Sequence, residues 1–432
     1  LAPSSAVDAS HKQLLFASAA TAGHDVFMTT TLDRAERGDI MARRNALVLA
    51  IASGLAGANA AVVFATAGIA GQSLSSTPAL ATLPASTFVF GTMLATLPVA
   101  FAARRFGRRA VFMGGNIAGA FAGIFAAIAI YIASFPLFCL ATALAGTYQA
   151  VVQSYRYAAA DTATPMFRPK AIAWVLTGGV AAAFIGPQLV IWTKELMLPY
   201  LFMATFLGQA AIAILAMFVT GRFEDQPAEE VRGGTQRPFS VILRQPRLLV
   251  AVLCGTMAQA LMNFIMTAAP LAMVQCGHSI VEATLGIQWH VIAMFAPSFY
   301  TGTLILRFGK ERMVMLGMAI LIGCGIVNLT GLTVMHFWVS LVLLGVGWNF
   351  AYIGATAMVT DCHTPAERAK VQGFNDFTIF GVTTIGSLLA GYMLAKVGWS
   401  TINGALMPVA VFCIVAMGLL LVATRRSTAP QL

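Results

Sequence analysis

The chain has 432 residues, of which 59% are hydrophobic and only 10% charged, against about a quarter charged in an ordinary soluble protein. A water-soluble fold of this size would lack surface polarity, which excludes soluble enzymes and soluble binding proteins. The formal charge of +10 would suggest nucleic acid in a soluble chain; here its position along the sequence matters more than its sum, and no nucleic-acid partner is expected.

Residues 1–45 begin mixed and polar, without the basic, apolar and cleavage regions of a secretory signal. They read as a cytoplasmic tail, with Leu1, Met28 and Met41 as alternative starts. A bilayer core about 30 Å thick needs roughly 20 apolar residues per helix, because lipid offers the backbone no hydrogen-bond partner. Such runs fall near 46–70, 80–102, 110–132, 136–157, 171–192 and 198–220. After a hydrophilic linker at 221–247 they resume near 248–274, 282–305, 313–333, 337–359, 371–395 and 402–424, and residues 425–432 form a second tail.

Orientation is tested independently of hydropathy, since Lys and Arg in short loops stay on the cytoplasmic side. With the amino terminus inside, only Lys194 and Lys396 among the 26 basic residues fall outside. One missed helix would invert every later loop and destroy that asymmetry. The expected fold is therefore an all-α integral membrane protein with 12 transmembrane helices in two pseudo-symmetric six-helix bundles, 46–220 and 248–424, and both termini inside. The linker, with Glu224, Asp225, Glu229, Glu230, Arg232, Gly233 and Gly234, reads as a flexible tether.

The halves repeat one another, the mark of a duplicated unit. Asp161, Thr164, Pro165, Arg168 and Lys170 recur as Asp361, Thr364, Pro365, Arg368 and Lys370, all offset by 200. Arg105, Phe106, Gly107 and Arg108 recur as Arg307, Phe308, Gly309 and Lys310, offset by 202. Glycine permits a tight turn between antiparallel helices, and the basic residues anchor at an anionic leaflet; the alternative is that they only set topology.

On these residues the chain resembles the major facilitator superfamily of secondary transporters over 46–424. That family's loop after the second span reads Gly-x-x-x-Asp-Arg-x-Gly-Arg-Arg, matched here by Arg105, Gly107, Arg108 and Arg109, with Ala100 and Arg104 departing from it. In the second half Gly302, Arg307, Gly309 and Lys310 keep the pattern and Leu306 replaces the acid. The resemblance implies gating roles for Arg105, Gly107, Arg108, Arg109, Asp161, Arg168, Gly309, Asp361 and Arg368, and puts the acid-dependent latch between bundles in doubt. Within the superfamily, Gln153, Tyr155-Arg156-Tyr157, Asp161, Pro165, Phe167-Arg168-Pro169-Lys170, Trp174 and Gly186-Pro187 resemble a bacterial branch that includes riboflavin importers.

Polar side chains at mid-bilayer are costly and usually face protein or a wet cavity. Near mid-depth stand Asn59, Tyr148, Gln149, Gln259, Asn263, Trp348, Asn349 and Tyr352, the candidate substrate-binding set. They fall on spans 1, 4, 7 and 10, which the resemblance implies line a central cavity. For each, a hydrogen bond to a neighbouring helix is the alternative. Trp174, Gln288, Trp289 and His290 form a second tier.

Amides with aromatic faces suit a neutral, planar, small-molecule substrate such as riboflavin, and equally other heterocycles. An anion would need a mid-depth cation, and Arg156 is expected to snorkel to the interface. Asp376, about 9 Å inside span 11 at 1.5 Å per residue, is the proton-coupling candidate; capping a helix terminus or pairing with Arg104 are its alternatives. Glu282 and His290 are further coupling candidates.

Six cysteines show no Cys-x-x-Cys pair and no histidine cluster at ligand spacing, so neither disulfide nor metal is expected, and no cofactor is called for. Phosphate loops, zinc-protease pairs and nucleophile elbows are missing from suitable contexts, so the chain reads as no enzyme. The expected partners are the lipid bilayer and a solute, driven either by proton or sodium as coupling ion or by the solute's own gradient, with the protein a monomer in a bacterial inner membrane. Import leads; a proton-coupled exporter of amphipathic compounds and a non-transporting membrane receptor or assembly factor are the competing readings.

Overall fold

The computed structural model describes residues 5–161, 163, 167–225, 237–364 and 366–428, and side chains between 40 and 424 within those segments except at 168, 169 and 369. The described residues are helical almost throughout and include no strand. Helix α1 is Ser5–Leu74, with Ile40–Leu74 its membrane-length part. It is followed by α2 (Leu83–Phe106), α3 (Arg108–Tyr131), α4 (Phe135–Asp161), α5 (Arg168–Thr193) and α6 (Met203–Thr220). A short α7 (Phe239–Leu243) leads into α8 (Pro246–Gln275), α9 (Ile280–Phe295), α10 (Ser298–Phe308), α11 (Lys310–Thr330) and α12 (Val334–Thr360). The last helical run breaks at Gly398, where φ is 80° and ψ 175°, giving α13 (368–397) and α14 (399–428).

Among the described residues ten helical runs have the length and apolarity to cross a bilayer. One of them divides at Gly398, and the α9–α10 pair, bent by 43°, supplies a broken span, so twelve crossings result. The bend has a plain cause. Pro297 sits at the junction, lacks an N–H and cannot continue the helical ladder. The Met294 carbonyl just before it accepts a hydrogen bond from Asn349 Nδ2 at 2.7 Å.

Helices α1–α6 pack as one half, chiefly α1 on α5, α2 on α4 and α3 on α4 and α6. In the second half α8 packs on the last helical run and on α12, and α11 on α12. The halves meet through α2 with α13, α5 with α9 and α1 with α8. Small residues let helices approach closely: a Cβ on Gly115 or Gly119 would strike Val151 or Tyr148.

The duplication seen in sequence is also one of contacts. Gly107 and Gly309 both adopt positive φ, 83° and 90°, between antiparallel helices, a region open to glycine and strained for other residues. Arg108 pairs with Asp161, and Lys310 Nζ pairs with Asp361 at 2.6 Å. Both pairs tie two helices within one half. The acid missing from the first motif is supplied from elsewhere: the Asp225 carboxylate, just after α6, accepts from the backbone N–H of Arg108 at 2.9 Å and of Arg109 at 3.3 Å, capping α3. Arg247 bridges Glu311 at 2.7 Å and Asp361 at 3.4 Å.

Two expectations need correction. The 221–247 connection is more than a tether, because its end forms α7 and is fastened to the second half. Arg237 makes two bonds of 2.7 Å to Glu367, whose side chain is fully buried, and Phe239 stacks edge-on to Phe374 at 5.6 Å. The connection expected between spans 11 and 12, over 396–401, shrinks to the single non-helical Gly398. Thr164, Pro165 and Pro365, and residues 229–234 of the linker, lie outside the described residues.

Candidate functional site

A cavity lies between the halves, holding about 1260 Å³ of space between atoms, part of it open to solvent. Helix periodicity decides which side chains reach it. Gln149, Gln153 and Arg156 are spaced by four and three residues, so they form one stripe of α4 facing the cavity. Gln259 and Asn263, four apart on α8, line the opposite wall. On α12, Trp348 and Tyr352 are also four apart, and their rings stack with centroids 5.0 Å apart and planes 13° from parallel.

Hydrogen-bond accounting separates the amides into two kinds. Trp348 Nε1 donates to Gln259 Oε1 at 2.7 Å, so that oxygen is committed to holding the indole. Gln149 Oε1, Asn263 Oδ1, Thr383 Oγ1 and Arg156 Nε are buried with no protein partner, and all four residues line the cavity. A buried polar atom left unsatisfied costs about 1–3 kcal/mol, so this wall is set up to bond to solute or water.

Three of the eight candidates do not line this cavity. Asn59 donates to the Ala145 carbonyl at 3.1 Å and accepts from Gln209 Nε2 at 2.6 Å, tying α1, α4 and α6 together. Tyr148 donates from its hydroxyl to Asn116 Oδ1 at 2.8 Å and packs inside the first half. Asn349 is fully buried, holds Met294 O and Ser298 Oγ at 2.7 Å each, and accepts from Thr301 Oγ1 at 2.6 Å. It satisfies the broken backbone of α9–α10. Gln149, Gln259, Asn263, Trp348 and Tyr352 are the candidates the cavity brings together.

Arg156 corrects the snorkelling expectation. It lines the cavity, donates to the Tyr157 hydroxyl at 3.1 Å and lies with its guanidinium 4.9 Å from the Tyr157 ring centre. Asp376 accepts from Asn375 Nδ2 at 3.1 Å and stands one helical turn from Phe380, a cavity residue.

Among the second-tier residues, His290 is fully buried with Nδ1 2.8 Å from the Leu341 carbonyl, and Trp289 is exposed. Trp174 meets Phe167 edge-on at 5.5 Å. Glu282 forms a capping box with Ser279 at the start of α9. Of the motif residues, Arg105 is exposed over Phe106, Arg109 is exposed beyond its backbone bond to Asp225, and Arg368 Nε donates to Gln372 at 3.3 Å. The side chain of Arg168 lies outside the described residues. Sequence reasoning passed over Gln153, Arg156 and Thr383 as cavity residues, although the 149, 153, 156 spacing carried that signal for the first two.

The halves touch near the face opposite the termini. Ser86 Oγ lies 3.0 Å from Ser387 Oγ, which lies 3.1 Å from Thr267 Oγ1. Gln188 Nε2 donates to Gln288 Oε1 at 2.9 Å, joining α5 to α9. A Cβ on Gly391 would come within 1.7 Å of Thr82 Oγ1. Thus the far face is sealed, while Gln153 and Arg156 extend the cavity toward the face that carries the termini.

Two six-helix halves around a central cavity sealed on one side are the architecture of a membrane solute transporter. The Major Facilitator Superfamily model matches residues 49–350 and 290–432, and the chain belongs to that family. It is 50% identical over 324 residues to the riboflavin transporter RfnT of Brucella anthropi, covering 74% of this chain and 81% of that protein. It is 29% identical over 332 residues to the MFS-type transporter YddS of Bacillus subtilis, covering 72% and 76%. Among solved structures it resembles a variant of the nucleoside transporter NupG, with TM-score 0.69, 14% identity and coverage of 87% and 99%. It also resembles a D-xylose–proton symporter, with TM-score 0.67, 14% identity and coverage of 88% and 96%; both likenesses concern the fold.

Proposed function

We propose that this protein takes up riboflavin across a bacterial inner membrane by alternating access, the halves rocking about the cavity between them. The observation that carries this reading is the Trp348–Tyr352 stack, planar and flanked by Gln149 and Asn263 with unpaired acceptors. A flavin ring is flat, uncharged and edged with an imide N–H and carbonyls, so it is matched by an aromatic platform and facing amides. The 50% identity to a named riboflavin transporter over most of both chains supports the same solute.

In this reading Gln149, Asn263, Trp348 and Tyr352 contact the solute and Gln259 positions the indole, while Asn59, Tyr148 and Asn349 support the walls. The basic face is cytoplasmic by the charge asymmetry of the loops, so the tail 1–45, the linker 221–247 and residues 425–432 lie inside, and the bundles are 46–220 and 248–424. The paired Arg108–Asp161 and Lys310–Asp361 contacts, with Arg105, Gly107, Arg109, Arg168, Gly309 and Arg368, form the hinge region of the cytoplasmic face. Asp376 couples transport to protons, and the protein works as a monomer.

Uptake decides the matter. A riboflavin-auxotrophic host expressing this protein should accumulate labelled riboflavin and grow at low external concentration. No accumulation by correctly inserted protein sinks the proposed solute, and collapse of the proton gradient without effect sinks the coupling assignment.

A further inference from the structure

We infer that Gln153 and Arg156 form a second subsite of the cavity, which binds a hydroxyl-bearing tail of the solute while the Trp348–Tyr352 platform holds its ring. The inference rests on the riboflavin reading and adds to it the residues that recognise the polyol. Trp348 and Tyr352 lie on α12 in the second half, Gln153 and Arg156 on α4 in the first, and all four line one cavity. A solute held by both subsites therefore spans the gap between the halves.

The duplication fixes relative depth. Helices α4 and α12 are both 27 residues long, with Asp161 and Asp361 at their corresponding ends. Under the offset of 200 that relates them, Gln149 stands within one residue of the depth of Trp348, and Gln153 within one residue of the depth of Tyr352. Arg156 lies a further turn toward the face that carries the termini, about 4.5 Å at 1.5 Å per residue. The corresponding positions of α12, Ile353 and Thr356, do not line the cavity. The polar extension beyond the platform thus belongs to α4, and a tail leaving a stacked ring in that direction runs along it.

The groups there suit hydroxyls. Arg156 is held by Tyr157, to whose hydroxyl it donates at 3.1 Å and whose ring centre lies 4.9 Å from its guanidinium. Its Nε is buried without a protein partner, so one N–H of the fork is left for a ligand to satisfy. Gln153 adds an amide that both donates and accepts. A hydroxyl also does both, so a polyol can bond to each residue, whereas a fully ionised tail offers acceptors alone and leaves the amide carbonyl without a partner. Bonds from a charged donor are the stronger ones, so Arg156 contributes more than Gln153.

The test uses riboflavin and lumiflavin, the same ring system with a methyl group in place of the polyol, as probes with purified full-length protein, read by flavin fluorescence titration. The wild type should bind riboflavin at least about tenfold more tightly than lumiflavin. Arg156→Met should weaken riboflavin binding about tenfold and Gln153→Leu about threefold, with lumiflavin affinity within about twofold of wild type in both. Retained lumiflavin binding shows that a variant is folded; where Arg156→Met binds neither probe, Gln153→Leu decides on the same ratio. Failure of wild-type protein to bind riboflavin would overturn the functional reading and this inference with it. Riboflavin binding with equal wild-type affinity for the two probes, or with a ratio unchanged by the substitutions whether the affinities stay or fall together, would overturn this inference alone.

Discussion

The Trp348 indole donates to Gln259 Oε1 at 2.7 Å while stacking on Tyr352 at 5.0 Å, so one amide fixes the platform against which a planar solute would lie. Pre-setting a ring in its bound orientation removes an ordering cost from binding. Gln259→Leu should therefore weaken riboflavin binding about tenfold, equivalent to about 1.4 kcal/mol, with the fold intact. Gln259→Glu keeps the acceptor and should lose less. Titration of both variants checks this, and an unchanged affinity in Gln259→Leu would show that the indole needs no anchor.

The seal at the far face depends on close approach of α13 to the start of α2. A Cβ on Gly391 would come within 1.7 Å of Thr82 Oγ1 and 3.0 Å of Thr82 Cβ; turning the hydroxyl away relieves the first contact and leaves the second, which the further methyls of a valine tighten. Gly391→Val should push the halves apart on that side and shift the equilibrium toward a state open there. In a Ser387→Cys background, whose parent side chain is buried against Ser86 and Thr267, labelling by a membrane-impermeant maleimide should speed up about tenfold for a shift of about 1.4 kcal/mol. Equal labelling rates with and without the valine would mean that the contact is not part of the seal.

The architecture was legible in the sequence because lipid imposes a strong rule: each long apolar run must cross as a helix. The charge asymmetry of loops then fixed the parity of the count. What escaped was the aim of individual polar side chains. Depth alone grouped Asn349 with Trp348, yet adjacent helical residues point about 100° apart, and Asn349 serves the backbone broken at Pro297. Arg156 was assigned outward by its nearness to the helix end, whereas the stripe it shares with Gln149 and Gln153 turns it toward the cavity. The α7 clamp was hidden because its two ends, Arg237 and Glu367, are 130 residues apart.

That clamp gives the protein an acid-sensitive fastening. Hydrogen bonds from Arg237, and from the Thr364 backbone N–H at 2.9 Å, hold the Glu367 carboxyl well below the usual carboxylate range. A carboxylate with a depressed folded-state pKa contributes stability that is fully present above its unfolded value, about 4.3, and is lost as pH falls toward the folded value. Thermal unfolding in detergent should show Glu367→Gln less stable than wild type at pH 7, with the gap closing below about pH 4.3. A gap that stayed constant down to pH 3 would remove the clamp from the acid response.

The duplicated ion pairs are alike in position and unlike in load. Arg108–Asp161 is one contact with side chains 30% and 47% exposed, and exposed pairs are worth about 0–1 kcal/mol. Asp361 instead receives Lys310 at 2.6 Å on both oxygens and Arg247 at 3.4 Å, while Arg247 also holds Glu311. Removing its charge takes the carboxylate from Lys310 and leaves Arg247 with Glu311 alone, and a network loses more than a pair. Asp361→Asn should therefore lower thermal stability more than Asp161→Asn, which should cost no more than about 1 kcal/mol. High salt should shrink the difference, because screening acts on partly exposed charges. Equal effects of the two substitutions at low salt would mean that Arg247 adds nothing at Asp361, and that the second half is fastened as lightly as the first.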